Sequence, residues 1–371
     1  MPGRYKADQS GKMIRIIHER KDIAMKAIFK VSEEAGAVDV RDLPMPEPGP
    51  GEILVKMGAS GICYSDVMIY KGLYKGRAAL PFPLIMGHEG AGFVTGLGQG
   101  VTNLKVGDKV SLLPVWGCGH CGNCLNGFPN LCTGWTHLGI TRGGTFAEYL
   151  TVPSFTAFKV PDSVSMINAA CVEPINLAVR TFEHLKPQLA ETVAVVGPGA
   201  IGLFHVQAFK AAGAAKIIVV GLDQDAKRFE MAKRFGADHI VNGSKVDVVA
   251  EVRKLTGGLG CEIVVETANH PSTVDLAINL AAANGRVMLF GLYPEATISP
   301  LNMVRSGLRI WADTASIPRW FRRGIRWVEY GKLTAEPIVS RPFRLDEAKE
   351  AFEAFKAGEA AKVIFVMEPS R

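Results

Sequence analysis

The chain has 371 residues, of which 48% are hydrophobic and 21% charged, with a formal net charge of +6. That length holds two domains with substantial cores, and the composition is that of a soluble globular protein. The positive charge is spread without a basic run, and the longest uncharged apolar stretch, residues 192–209, contains Gly, Pro, His and Gln. A nucleic-acid module and a membrane span are therefore set aside.

Residues 1–24 lack the apolar segment of a secretory leader and are expected to form an N-terminal extension. Seven cysteines are present. Four crowd one short stretch, Cys63 is a candidate ligand, and only Cys171 and Cys261 remain. That usage suits a reducing, cytoplasmic setting rather than a disulfide framework.

From Met25 to about Tyr149, short apolar alternations are broken by Gly and Pro, as in MKAIFKV, GEILVKMGASGI and GAGFVTGLG. This pattern predicts an all-β, barrel-like domain. Within it lie Gly-Ile-Cys63-Tyr-Ser65-Asp66 and Gly-His88-Glu89-Gly. Cys63 alone reads as a buried core residue and His88 alone as a hydrogen-bonded turn residue. With Glu173, farther along, they offer thiolate, imidazole and carboxylate, the donor types of an open catalytic zinc. Glu89 can be a direct ligand, a group behind the ligands, or one that alternates with water. Asp66 is placed to orient a ligand histidine.

Next come Cys118, Cys121, Cys124 and Cys132, spaced C-x2-C-x2-C-x7-C with Gly and Asn between. Four thiolates around one ion form a closed, structural zinc site with no position left for chemistry. The x7 gap fits ferredoxin spacings poorly. From about Asp162 the texture changes. SMINAACVEPINLAVRTFEHL has apolar residues at helical spacing, and buried strands then alternate with amphipathic helices up to RVMLFGL, which predicts a doubly wound parallel sheet. Val-Ala-Val-Val-Gly197-Pro-Gly199-Ala-Ile201-Gly202 fits strand, G-x-G-x-x-G, helix. Its glycines serve a tight turn, close approach of a pyrophosphate and helix–strand packing. The next strand ends at Asp223, about 20 residues on, where a carboxylate meets the adenosine ribose and favours NAD over NADP. Lys227 and Arg228 follow closely and keep NADP open. The final strand-like piece, KVIFVME, has no helix after it and can return to the first domain.

Taken together, GICYSD, GHEGAGFV, the four-cysteine lobe, GGTFAEY, VEPINLAV, GPGAIG and the Asp223 strand end resemble the zinc-dependent medium-chain dehydrogenase/reductase family, the alcohol dehydrogenase superfamily. The likeness is to its sorbitol, threonine and butanediol dehydrogenase branch and runs from about Met25 to the C-terminus. It implies a GroES-like β-barrel catalytic domain with an inserted Rossmann domain. Residues 25–176 and 315–371 would form the catalytic domain and residues 177–314 the NAD-binding one. It also implies two zinc ions per chain and NAD rather than NADP. Cys63, His88 and Glu89 would hold the catalytic ion, with Glu173 as a further ligand or one linked through water, and the four lobe cysteines would hold the structural ion. Ile201, Asp223 and Arg228 would lie at the adenosine and pyrophosphate end, with Phe290, Gly291 and Leu292 along the nicotinamide.

The implied reaction is oxidation of a secondary alcohol, of polyol, sugar-derived or hydroxy acid or amino acid type, or its reverse. The metal lowers the pKa of the hydroxyl, Ser65 accepts its proton and passes it toward the cofactor ribose, and hydride passes to the nicotinamide. Many relatives carry a relay histidine where this chain has Met68, so here the relay ends differently, through water, Ser65 alone or another group. Polyol-specific relatives carry an Arg-Tyr pair where this chain reads Gly307-Leu-Arg-Ile310-Trp311, which argues against sorbitol itself. Trp116 and Trp135 either line the cleft or are core or interface aromatics. A homodimer or homotetramer is implied, joined at the strand near Leu308–Ala312. The rivals are a zinc-independent NADPH enone or quinone reductase of the same fold and, from another class, a zinc-ribbon nucleic-acid binder. The first has no need of Cys63, His88 and Glu89 together, and the second leaves the glycine turn unexplained.

Overall fold

The computed structural model describes residues 24–358 and 361–367, together with two short strands, Tyr5–Ala7 and Met13–Arg15, that pair antiparallel. The rest of residues 1–23, on which the expected N-terminal extension bears, lies outside the described residues.

The first half of the chain is built around the strand Glu52–Gly61, which pairs antiparallel with Glu89–Leu97 and with Tyr149–Pro153. Lys109–Leu112 and then Ala157–Lys159 extend this sheet beyond Glu89–Leu97. A second sheet orders Val38–Pro44, Ala24–Lys30 and Leu84–Ile85. The inward residues include Val55, Met57, Val110 and Phe146, and Phe352 and Phe365 from near the C-terminus complete the same apolar core. The last strand, Ile364–Val366, pairs antiparallel with the Gly61 end of Glu52–Gly61. Both ends of the described chain thus build one β-rich unit around the segment between them.

That segment forms a six-stranded parallel sheet in the order His239–Asn242, Lys216–Gly221, Thr192–Val196, Cys261–Glu266, Ala281–Leu289 and Arg309–Ala312. Its central strands are buried on both faces, so Val193–Val196 and Ile217–Val220 read as unbroken apolar runs. The winding direction reverses between Thr192–Val196 and Cys261–Glu266, which opens a ligand crevice beyond the carboxyl ends of these strands. No described helix is long and apolar enough to cross a membrane.

Two helices depart from the sequence pattern. The single helical run over residues 165–185 is divided at Cys171 into Met166–Ala170 and Val172–Leu185. Pro174 explains the division: it has no N–H for the Ala170 carbonyl, and its ring would clash there, so it is tolerated only in a new first turn. The stretch after Asp313, which reads as mixed segments in sequence, contains the helix Pro318–Glu329, whose Trp320, Phe321, Ile325 and Val328 are buried at helical spacing. A Cβ on its Gly324 would sit 3.0 Å from Asn176 Cβ, so the glycine lets this helix approach Val172–Leu185 closely.

Candidate active site

The helix Tyr64–Tyr70 begins directly after the central strand of the β-rich unit, with Cys63 as its N-cap. Asp66, fully buried, closes the cap: its Oδ2 accepts the Cys63 backbone N–H at 2.9 Å. Its other oxygen, Oδ1, lies 3.6 Å from His88 Nδ1. One carboxylate thus fixes the backbone of Cys63 and faces the ring of His88. His88 and Glu89 enter where Leu84–Ile85 gives way to Glu89–Leu97, and they are 5% and 1% exposed. Gly87 between these strands has φ 90°, and a Cβ there would collide with the Phe146 ring, which is why glycine precedes His88.

The ligand atoms of Cys63, His88 and Glu89 all lie within 4.8 Å of one another. Glu173, in the first turn of Val172–Leu185, is buried beside them but falls outside that set. Burial, with Glu89 adding negative charge, pushes the Glu173 carboxyl up to about 7 against the opposing charge of His88. Burial works against a charged His88, yet Asp66 and Cys63 raise it well above the ordinary histidine value. The cluster attracts positive charge, and its three different donors are those of an open zinc site with room for a further ligand. The residues therefore fit a catalytic zinc. Glu89 also forms a buried ion pair with Lys362 from the C-terminal segment, whose Nζ donates to the Ile62 carbonyl at 2.9 Å. The sequence reading missed Lys362, because nothing local to it signals a partner so distant in the chain.

Ser65 and Met68 lie on the helix after Cys63, both half-buried. Trp135 packs edge-on to His137 at 5.4 Å between ring centroids, and His137 packs edge-on to His88 at 5.1 Å. Trp135 thereby reaches the cluster through a histidine that the sequence reading did not single out. Trp116 instead packs edge-on to Phe155 at 6.4 Å, on the neighbouring strand pair. Trp311 packs against the apolar core that includes Phe204, Met288 and Phe321.

The four lobe sulfurs also lie within 4.8 Å of one another, and no cysteine is in a disulfide. The Cys118 N–H donates to Cys132 Sγ at 3.3 Å and the Cys121 N–H to Cys118 Sγ at 3.4 Å. The backbone N–H of Cys124 is the main influence that draws the Cys121 thiol down to about 6. Such a tetrathiolate fits a closed zinc site.

In the parallel-sheet unit, Gly197 has φ 96°, and a Cβ there would lie 2.7 Å from the Ala268 backbone. A Cβ on Gly202 would be driven into the Gly197 carbonyl, whereas Gly199 faces open space. The turn is therefore packed on two glycines and open on the one where a pyrophosphate would approach, at the N-terminus of Ala200–Ala211. Ile201 is in that first turn, and its carbonyl receives His205 Nδ1 at 2.7 Å. Asp223 follows Lys216–Gly221, with Oδ1 accepting from Asn242 Nδ2 at 2.7 Å. Arg228 donates to Asp225 Oδ1 at 3.1 Å on the same helix edge.

Phe290, Gly291 and Leu292 leave the carboxyl end of Ala281–Leu289. The Arg180 guanidinium lies over the Phe290 ring, 4.7 Å from its centroid. This loop is tied down by Glu266, a fully buried carboxylate absent from the sequence reading. Its oxygens accept from the N–H groups of Ala268 at 2.8 Å and Gly291 at 3.1 Å and from the Thr273 hydroxyl at 2.8 Å.

Comparison with known proteins bears on the fold and the family. Residues 49–162 match the alcohol dehydrogenase GroES-like domain, and residues 200–327 match the zinc-binding dehydrogenase family. The chain is 35% identical over 349 residues to L-threonine 3-dehydrogenase of Pyrococcus horikoshii, covering 93% of this chain and 99% of that one. It is also 35% identical to the Bacillus subtilis enzyme of that name, over 92% of this chain and 98% of the other. Among solved structures, 2R,3R-butanediol dehydrogenase from Bacillus subtilis superimposes with a TM-score of 0.84 at 30% identity, covering 93% of this chain and 100% of that one. An Escherichia coli alcohol dehydrogenase complexed with NADH superimposes with a TM-score of 0.85 at 31% identity, covering 93% and 99%. The β-rich unit is thus a GroES-like barrel and the parallel sheet a Rossmann fold. The chain belongs to the zinc-binding alcohol dehydrogenases of the medium-chain dehydrogenase/reductase family.

Proposed function

We propose that this chain is a zinc-dependent, NAD-linked dehydrogenase that interconverts a secondary alcohol and a ketone. The observation that carries the reading is the mutual approach of Cys63, His88 and Glu89 to within 4.8 Å. Zinc held there supplies Lewis acidity at a carbinol oxygen, and a bound nicotinamide supplies the hydride acceptor.

The chain's own residues have distinct tasks in this reading. Asp66 orients His88 and holds the Cys63 backbone, Lys362 restrains Glu89, and Glu173 is the further buried carboxylate beside the ligands. Ser65, two residues after Cys63, accepts the hydroxyl proton and passes its own proton on toward the cofactor ribose, from which many relatives would continue the relay to a histidine. Gly197, Gly199 and Gly202, with Ile201, cradle the pyrophosphate. Asp223, steadied by Asn242, accepts from the adenosine ribose and disfavours a 2′-phosphate, with Arg228 beside it. Phe290, Gly291 and Leu292 run along the nicotinamide. Cys118, Cys121, Cys124 and Cys132 hold a second, structural zinc.

The substrate class is a secondary alcohol of polyol, sugar-derived, hydroxy acid or hydroxy amino acid type. Support comes from two relatives whose names denote substrates with a secondary carbinol beside a second polar group. Met68 and Trp135 would give this pocket an apolar side. A homodimer or homotetramer joined through the edge strand Arg309–Ala312 and a cytoplasmic setting complete the reading; the seven free cysteines support the latter.

The test is metal analysis joined to a turnover screen of polyols, sugar alcohols, 3-hydroxy amino acids and aromatic secondary alcohols with NAD and NADP. Two zinc ions per chain and NAD-linked oxidation that a chelator abolishes are expected. One zinc or none, or turnover that survives complete zinc removal, would sink the reading.

A further inference from the structure

The segment that leaves the last parallel strand, residues 313–316, is gripped from two sides. Three side chains at successive turns of Val172–Leu185 reach it. His184 Nε2 lies 2.9 Å from Asp313 Oδ2, Arg180 Nη1 donates to the Ala315 carbonyl at 2.8 Å, and Asn176 Oδ1 accepts from the Ser316 hydroxyl. From the opposite side comes Asn130 of the four-cysteine lobe. Its Nδ2 donates to Asp313 Oδ1 at 3.1 Å and to the Thr314 carbonyl at 2.8 Å. Both partners are acceptors, so the amide has one orientation; flipped, it would set oxygen against oxygen.

Asn130 is 1% exposed and lies between Cys124 and Cys132. Arg77 clamps this turn by donating to the Asn130 carbonyl at 2.8 Å and the Cys132 carbonyl at 2.7 Å. Ala315 has φ 54°, a left-handed conformation that a residue with a Cβ keeps only where its surroundings impose it. Asp313 and Thr314 wall a cavity of about 580 Å³ together with Phe290, Gly291, Leu292 and the lobe's own Leu131. The cavity lies at the carboxyl ends of Ala281–Leu289 and Arg309–Ala312, where an open α/β sheet receives its ligand.

We propose that Asn130 is a positioning residue for the nicotinamide end of the cofactor, through which the four-cysteine lobe sets the wall of the cofactor cavity. Four thiolates closed on one ion fix the turn 129–132, the turn fixes Asn130, and Asn130 holds Asp313 and Thr314 against Phe290–Leu292. The lobe thus acts on cofactor geometry without chemistry of its own. The inference rests on the NAD-linked function proposed above. It makes a selective demand, because the glycine turn and Asp223, which would take the adenosine and pyrophosphate, make no hydrogen bond with Asn130.

The test is calorimetric titration of the zinc-replete wild type, Asn130→Ala and the near-isosteric Asn130→Asp with NAD and with ADP-ribose, which lacks the nicotinamide. Loss of the two hydrogen bonds should weaken NAD binding about tenfold, while ADP-ribose binding changes by less than about twofold and two zinc ions per chain are retained. In Asn130→Asp a carboxylate would face two acceptors, so its effect on NAD should be at least as large. Unchanged NAD affinity in both variants overturns the proposal. So does parallel loss of both ligands, or loss of the lobe's zinc, since Asn130 would then serve only the fold. A wild type that binds neither nucleotide would instead overturn the dehydrogenase reading, and this inference with it.

Discussion

Asp66 holds the site together with a single carboxylate. One oxygen caps the helix at Cys63 and the other faces His88 Nδ1, so two of the proposed ligands are referred to one buried group. An outer carboxylate of this kind sets the ring orientation of a ligand histidine and raises its basicity. Asp66→Asn keeps the volume and leaves an oxygen for the cap but removes the charge opposite His88. Its affinity for the catalytic zinc should fall about 10- to 100-fold, while the lobe retains its ion. Competition with a chromophoric chelator reads the two ions separately. Equal retention of both by variant and wild type would remove Asp66 from this role. Asp66 could be named from sequence because it sits one helical turn after Cys63. Lys362 could not, because a buried charge is recognised by its partners and Glu89 comes from a distant segment of chain. Glu266 binds the nearby Ala268 N–H and Thr273 hydroxyl, but its tie to the Gly291 N–H joins two separate loops and has no local signal.

At the scale of elements, the glycine turn separates folding from binding within a few residues. A methyl group at Gly202 would enter the Gly197 carbonyl, so Gly202→Ala should destabilise the Rossmann unit, by about 1–3 kcal/mol if the helix shifts to relieve the clash. Gly199 has open space at its Cβ, so Gly199→Ala should leave the melting temperature unchanged and weaken nucleotide binding by occupying the pyrophosphate's approach. Thermal melts beside NAD titrations distinguish the two, and full NAD affinity in Gly199→Ala would argue that phosphate does not pass that atom. The strands and this turn were legible because their periods and spacings are local. The helix Pro318–Glu329 carries its own helical period, with Trp320, Phe321, Ile325 and Val328 on one face, but Gly324 stands inside it, and the reason for that glycine is Asn176 on another helix. Likewise, Pro174 announces a helix start only once Ala170 is known to end the preceding one. In Val172–Leu185 the polar residues Asn176 and Arg180 are buried because segment 313–316 lies across them. Tertiary contact, not local preference, decided these features.

At the scale of the whole molecule, the return of the C-terminal segment to the barrel has an electrostatic consequence as well as a packing one. It brings Lys362 into a fully closed setting against Glu89, 3% and 1% exposed. Burial opposes the charge on Lys362, but Glu89, with the cysteines nearby, holds its pKa above the ordinary lysine value. Removing one partner of a buried pair leaves the other uncompensated, at a cost of about 3–5 kcal/mol. Lys362→Met should therefore destabilise the metal-free protein by about that amount. In the zinc-loaded protein the stranded Glu89 has a second cation within reach, since its carboxylate lies within 4.8 Å of the Cys63 and His88 donors. The penalty there should be less than half as large, because a metal that binds the folded state takes over the compensation. Denaturant titrations of wild type and variant, each with zinc and after chelation, give the two differences. Loss of the lobe's ion on chelation cancels, because it occurs in both proteins. A penalty of the same size in both states would show that Glu89 answers only to Lys362, leaving Cys63 and His88 to hold the ion without it.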